Sequence, residues 1–139
     1  QRGVVLALAL AVPIALLMLP APWVLARLGQ PADVWPTAAA FARASAPGVP
    51  AYLAFTVLRQ TLQAEHRVRA VVWAIVLGNL VNLGLNWVFI YGRLGAPALG
   101  AVGSAWSSTV GRWAMLGTVA ALGWPHLRRA LVPWRADAW

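Results

Sequence analysis

The chain alternates between four long apolar stretches and short polar segments that carry most of its charge. Each stretch is long enough for a helix to cross the bilayer core, which takes about 20 residues. The stretches are continuous in hydrophobicity, so they predict helices and exclude barrel strands, which alternate apolar with polar positions. The sequence therefore predicts an all-α fold, a polytopic transmembrane helix bundle with four membrane-spanning helices in a single domain over residues 1–139. The predicted spans cover residues 4–26, 34–58, 70–91 and 99–123.

Composition supports a membrane location. Hydrophobic residues make up 61% of the chain and charged residues 10%, which is too few polar groups to cover a soluble surface. Cysteine is absent from the sequence, and this excludes disulfides and thiolate metal sites. The chain begins Gln-Arg-Gly without Met, and we expect it to be a piece of a longer protein.

The basic residues predict the orientation of the spans. All eleven are Arg, and if the four spans alternate in direction, only Arg27 and Arg93 lie on one side of the membrane. By the positive-inside rule, the opposite side is cytoplasmic, so both ends of the chain are expected in the cytoplasm at the inner membrane. The seven on the cytoplasmic side are Arg2, Arg59, Arg67, Arg69, Arg128, Arg129 and Arg135.

The net charge of +8 is spread over the loops. This distribution favours anionic lipid headgroups over nucleic acid as the partner. Aromatic residues lie near both predicted membrane boundaries, as in the aromatic belts of membrane proteins. They are Trp23, Trp35, Trp87 and Tyr91 at the outer boundary, and Trp73 and Trp124 at the inner one.

The polar residues of the loops carry no enzyme signature. The three acidic residues are isolated, and His66 and His126 stand near Arg rather than opposite a carboxylate. No acid–base pair, activated nucleophile or cluster with metal-ligand spacing results. We therefore expect no enzymatic activity, no metal and no cofactor.

Three asparagines form the most informative polar group. Asn79, Asn82 and Asn86 lie at positions i, i+3 and i+7 of the third predicted span, on one helix face. Amides in an apolar helix are expected to face protein or a water-filled cavity. Two interpretations are open: hydrogen bonds that join helices, or the lining of an ion or proton pathway.

Two arginines lie inside predicted spans. Arg43 costs its span about 3 kcal/mol on insertion scales, and Pro47 and Pro50 bend the same span. Arg43 is expected either to be sheltered by neighbouring helices or to extend towards the headgroups. Arg112 is expected to pair with a helix carbonyl.

Small residues recur four apart in the fourth predicted span. The pairs are Ala101 with Ala105 and Ser104 with Ser108. Such spacing lets another helix backbone approach closely, so this face is predicted to be a helix contact.

Four pieces of the chain resemble the multidrug and toxic compound extrusion (MATE) transporters. The most specific is residues 79–112, where Asn-x-x-x-Asn-Trp ends a helix, a Tyr-Gly turn follows, and Pro-x-Leu-Gly-Ala-x-Gly leads into the next helix. The other pieces are QRG, LGQPADVWPTAAAFARASAPGVPAY and LRQTLQA.

The resemblance implies a larger protein of twelve helices in two lobes, of which this chain is similar to helices three to six of the N-terminal lobe. In that family, asparagines on the fifth helix and a hydroxyl residue on the sixth work with an acidic residue on the first helix to bind a proton or sodium ion. Asn82 and Asn86 match the asparagine pair, and Ser108 lies where the hydroxyl is expected, beside Ser107 and Thr109.

The sequence as a whole predicts part of a secondary active antiporter that exports organic cations or drugs in exchange for protons or sodium. Its partners would be the lipid bilayer, a small organic cation and the missing helices of the same transporter. One alternative is a lipid-linked oligosaccharide flippase of the same superfamily, whose cavity needs cationic side chains for phosphate, so that Arg43 would have to face the lumen. The other is a non-transporting membrane assembly subunit, in which the asparagines only join helices.

Overall fold

The computed structural model describes residues 2–17, 27, 35–93, 95 and 97–131, and all regular structure in these ranges is helical. Residues 18–26 of the first predicted span, which include Trp23, lie outside the described residues, as do Asp33, Arg135 and Asp137. The helices are α1 (Arg2–Leu17), α2 (Trp35–Ser45), α3 (Gly48–Ala64), α4 (Val68–Tyr91) and α5 (Gly100–Leu131).

Helix α4 has the length and composition of a membrane span. It is 24 residues long, which corresponds to about 36 Å of helix. Among the described residues, it is the one helix that is both long enough and apolar enough to cross a membrane, and residues 5–16 of α1 form a shorter apolar helix. The helix ends at Tyr91, and the left-handed backbone of the next residue, Gly92 (φ 65°), caps its last turn.

The second predicted span is divided into two helices. Helix α2 ends at Ser45 and α3 begins at Gly48. Proline explains the division, because Pro47 and Pro50 have no backbone N–H to donate to the preceding turn. Helix α3 then continues to Ala64, beyond the predicted end of the span at residue 58.

Helix α5 is the centre of the packing. It contacts α2, α3 and α4, and its contact with α4 is the most extensive in the described chain, while α1 packs on α3. A buried hydrophobic cluster joins α3, α4 and α5 and consists of Phe55, Leu62, Val71, Ala74, Val119 and Leu127. Because α5 touches three other helices, its polar residues are the ones best placed to form sites between helices.

Candidate functional site

Helices α4 and α5 approach each other most closely at two glycines. A Cβ atom placed on Gly111 would lie 3.1 Å from the carbonyl oxygen of Gly78 and 3.1 Å from Cβ of Asn82. On the other side, a Cβ atom on Gly78 would collide with the side chain of Met115. The absence of both side chains brings the polar face of α4 within hydrogen-bonding distance of α5.

The face of α5 that packs on α4 differs in part from the predicted one. Gly103 lies directly on Phe89, and Ser107 is fully buried one turn later. With Gly111, these residues form a small-residue row four apart, whereas Ala101 of the predicted row is exposed. The same spacing is visible in the sequence, but the sequence holds several such rows and does not indicate which one faces α4.

Asn86, Asn82 and Ser108 form a chain of hydrogen bonds across this contact. Asn86 donates from Nδ2 to Oδ1 of Asn82 over 3.0 Å. Asn82 in turn donates from its own Nδ2 to Oγ of Ser108 on α5 over 3.3 Å. The structure therefore joins three of the four residues that the sequence identified as candidates for ion coupling, and the fourth, Asn79, lies beside them in the lining of a recess.

The three adjacent hydroxyl residues of α5 have three different partners. Ser107 donates to the carbonyl of Gly103 in its own helix, over 2.9 Å. Thr109 donates to the carbonyl of Ala44 on α2, over 2.8 Å. Only Ser108, of these three, is hydrogen-bonded to an asparagine of α4, since helix rotation points its neighbours elsewhere.

The break between α2 and α3 is stabilised from α5. Besides the bond from Thr109 to Ala44, the indole Nε1 of Trp113 donates to the carbonyl of Pro47 over 3.1 Å. Carbonyls beside a break in a helix can accept hydrogen bonds from a neighbouring helix. Here α5 contacts the break with a hydroxyl and an indole, and an added Cβ at Gly48 would lie 3.1 Å from the hydroxyl oxygen of Thr109.

At the Asn86 end of this chain of hydrogen bonds, one buried acceptor atom has no partner in the described part of the protein. Among the described residues, the Oδ1 atom of Asn86 is buried without a hydrogen-bond partner. Buried polar atoms normally have a partner, so this oxygen is available to a ligand or to a donor from another part of the protein. The Nε atom of Arg59 on α3 is buried in the same way.

A polar recess lies beside the hydrogen-bonded chain. It has a volume of about 210 Å³, which leaves room for several water molecules. Asn79, which is exposed, completes the polar wall of α4. The recess is lined by Tyr52, Gly78, Asn79, Asn82, Ser108, Gly111, Arg112 and Met115.

Arg112 contributes a positive charge to this polar recess. Its Cζ atom lies 5.5 Å from the centroid of the Tyr52 ring, a distance at which the ring face attracts a cation. Its side chain also passes Gly48, where an added Cβ would lie 3.1 Å from Cδ of Arg112. The sequence indicated a helix carbonyl as its partner, but the contact that the structure shows is with an aromatic ring.

Arg43 is separate from the polar recess. It lies in the last turn of α2, where a cation is favoured by the helix dipole, and its side chain is exposed. The break that follows at Pro47 explains this position, because it turns the middle of the predicted span into the end of a helix.

Within the described residues, no group of three or more His, Cys, Asp or Glu side chains could hold a metal ion.

Comparison with known proteins identifies the family to which the chain is related. The MatE family model matches residues 1–88, a range that includes Asn82 and Asn86 but ends before Ser108. The match confirms the resemblance inferred from the motifs. No solved structure matches the chain at a significant level.

Similar proteins include three bacterial multidrug resistance proteins. The protein NorM of Vibrio vulnificus strain YJ016 is 33% identical over 115 residues, which are 83% of this chain and 25% of that protein. NorM of Aliivibrio fischeri is 32% identical over 131 residues, 93% of this chain and 28% of that protein. MdtK of Yersinia pestis strain Pestoides F is 41% identical over 68 residues, 49% of this chain and 15% of that protein.

Apolar helices whose polar residues face one another define the class as a helical membrane protein. The particular relationship follows from the family match, and the chain belongs to the MatE family. It spans about a quarter of the length of the curated relatives that it matches.

Proposed function

We propose that the intact protein is a secondary active antiporter that exports organic cations or drugs in exchange for protons or sodium ions. Membership of the MatE family supports transport. The similar proteins NorM and MdtK are named multidrug resistance proteins, and this supports drugs as the cargo. The coupling ion is the only ion required, without a further cofactor.

The observation that carries the proposal is the hydrogen-bonded chain that ends in the unpartnered Oδ1 atom of Asn86. An amide oxygen is a suitable ligand for a hard cation such as sodium. An amide N–H can also donate to a carboxylate and stabilise its charged form, which favours release of a proton. Both properties suit a site that binds and releases the coupling ion.

The proposed arrangement in the membrane has four crossings. Helices α1, α4 and α5 make one crossing each, and α2 with α3 makes one crossing broken at Pro47. Broken helices are common in transporters, where they lie beside binding sites. Both ends of the chain are cytoplasmic, the membrane is the inner membrane, and the remaining helices of the transporter cover the exposed apolar faces.

A test replaces Asn86 in the intact transporter. Asn86→Ala should fold and should bind a fluorescent organic cation under de-energised conditions, yet lose export driven by a proton or sodium gradient. Gln60→Ala is the matched control, since it removes an exposed amide from α3 and should leave gradient-driven export unchanged. Export is measured in vesicles with imposed gradients, and binding by fluorescence.

One result would contradict the coupling role. If Asn86→Ala lowers thermal stability and binding together while residual export keeps its dependence on the ion gradient, the asparagines only join helices. Failure of the wild-type protein itself to export any organic cation would favour the assembly-subunit alternative.

The flippase is the second candidate because Arg112 places a cation in the polar recess. A cationic side chain in a cavity suits a phosphate-bearing cargo. Transbilayer movement of a lipid-linked oligosaccharide, without export of organic cations, would favour the flippase over the antiporter.

A further inference from the structure

A second recess, distinct from the polar one, lies where α3 turns into α4. It has a volume of about 220 Å³ and is called the basic recess below. Four of its seven lining residues are basic side chains, and the other three are apolar. Its lining consists of His66, Arg67, Val68, Arg69, Ala70, Leu122 and His126.

The turn holds two of the basic residues in fixed backbone positions. His66 has a left-handed backbone with φ 57°, an uncommon conformation for a residue other than glycine. Two hydrogen bonds close the turn, from the N–H of His66 to the carbonyl of Gln63 over 3.0 Å and from the N–H of Arg67 to that of Leu62 over 2.8 Å. This is the bonding of a Schellman motif, and it orders the edge of the basic recess.

The start of α4 adds backbone donors to the same place. The first N–H groups of a helix have no partner within the helix, and among the described residues no side chain caps the start of α4 at Arg67. Val68, Arg69 and Ala70 belong to this first turn and also line the basic recess. The helix dipole gives this end a partial positive charge.

Acidic side chains do not offset this charge within the basic recess. Glu65 lies in the same turn, but it is exposed and is not among the lining residues. The guanidinium and imidazole groups therefore have no carboxylate partner in the lining. Arginine forks and exposed helix N–H groups are the groups that proteins use to bind phosphate.

We infer that the basic recess binds a phosphate group, carried by an anionic phospholipid headgroup or by free phosphate. Arg69 and His126 hold it from the side chains of two helices, and the first turn of α4 holds it from the backbone. The position suits a membrane surface, since Trp73 follows Arg69 by four residues on the same helix face and is exposed. This binding goes beyond the proposed transport and does not depend on it.

The test uses the intact protein, purified and exposed in separate arms to phosphatidylglycerol, to phosphatidylcholine and to inorganic phosphate. Retained lipid is counted by native mass spectrometry, and phosphate binding is measured by calorimetry. Arg69→Gln should weaken binding about fivefold, the equivalent of about 1 kcal/mol for one arginine near a charged surface, and His126→Gln should also weaken it, because it replaces an imidazole that lines the recess from α5. Arg69→Lys should retain most of the binding.

Arg93→Gln is the matched control, because it removes an arginine that follows the opposite end of α4. The Cζ atom of Arg93 lies 5.7 Å from the centroid of the Trp87 ring, far from the basic recess along the helix. Retention of phosphatidylglycerol alone would assign the site to lipid, and competition by inorganic phosphate would assign it to the free anion. Binding by Arg69→Gln and His126→Gln equal to that of Arg93→Gln, with all variants folded, would overturn the inference.

Discussion

Asn82 on α4 donates a hydrogen bond to Ser108 on α5 over 3.3 Å, although 26 residues separate the two along the chain. This bond is the point at which the asparagine row of α4 is joined to another helix. It depends on the glycine contact one turn away, where Gly78 and Gly111 bring the two backbones together. The polar chain and the close helix contact therefore form one structural unit.

The bond between Asn82 and Ser108 should give a measurable coupling energy. In a double-mutant cycle with Asn82→Ala and Ser108→Ala, we expect the free energies of unfolding to be non-additive by about 0.6 kcal/mol, and by at most about 2 kcal/mol. A cycle of Asn82→Ala with Ser104→Ala, one turn away on α5, should be additive. Additivity in the first cycle would mean that the bond contributes nothing to the stability of the intact protein.

Gly103 should tolerate no side chain. A Cβ atom there would lie 2.7 Å from the carbonyl oxygen of Phe89, and backbone cannot rotate away as a flexible side chain can. Gly103→Ala should lower the free energy of unfolding by about 1–3 kcal/mol. Gly117→Ala on the same helix, where an added Cβ would meet no described atom within 4 Å outside its own stretch of helix, should be neutral or raise it by up to about 1 kcal/mol. Thermal unfolding in detergent measures both, and equal losses would contradict the close contact.

Thr109 should stabilise the break between α2 and α3. Thr109→Val keeps the side-chain shape but leaves the buried carbonyl of Ala44 without the bond that it accepts over 2.8 Å. We expect a loss of about 1–3 kcal/mol. Thr56→Val is the control, because Thr56 bonds only to the Tyr52 carbonyl of its own exposed turn, and its loss should be at most about half as large. Indistinguishable unfolding temperatures for the two variants would argue against this role.

Substitution of Arg43 tests whether its exposed guanidinium group on α2 has a partner in the rest of the protein. Arg43→Leu should leave membrane insertion intact while lowering folded yield or transport, because a partner would lose its ion pair or hydrogen bond. Arg43→Lys, which keeps the charge, should lose less. Unchanged yield and transport in Arg43→Leu would show that the side chain only extends to the headgroups.

The distribution of arginines predicts the topology. Single cysteines placed at Gln30, which lies outside the described residues, and at Gln63, which is exposed, should lie on opposite sides of the membrane. A membrane-impermeant thiol reagent added to intact cells should label Gln30→Cys and leave Gln63→Cys unlabelled. Labelling of Gln63→Cys under these conditions would reverse the orientation.

The sequence by itself determined the helical class, the family and the common face of the asparagines. These features are local, because hydrophobic runs, a short motif and a spacing of three or four residues are readable without knowing what packs against them. It also placed two prolines beside the point where α2 ends and α3 begins, since a missing backbone N–H interrupts a helix wherever the chain folds.

Only the tertiary structure decided which polar groups meet. The sequence offered three adjacent hydroxyls on α5 and several rows of small residues, and each hydroxyl is on a different face of the helix. Ser108 bonds to Asn82, and Arg112 lies in the polar recess, because the contact between Gly78 and Gly111 fixes how α5 is rotated against α4. That rotation depends on backbone contacts between residues far apart in the chain, and periodicity within one helix carries no information about its neighbour.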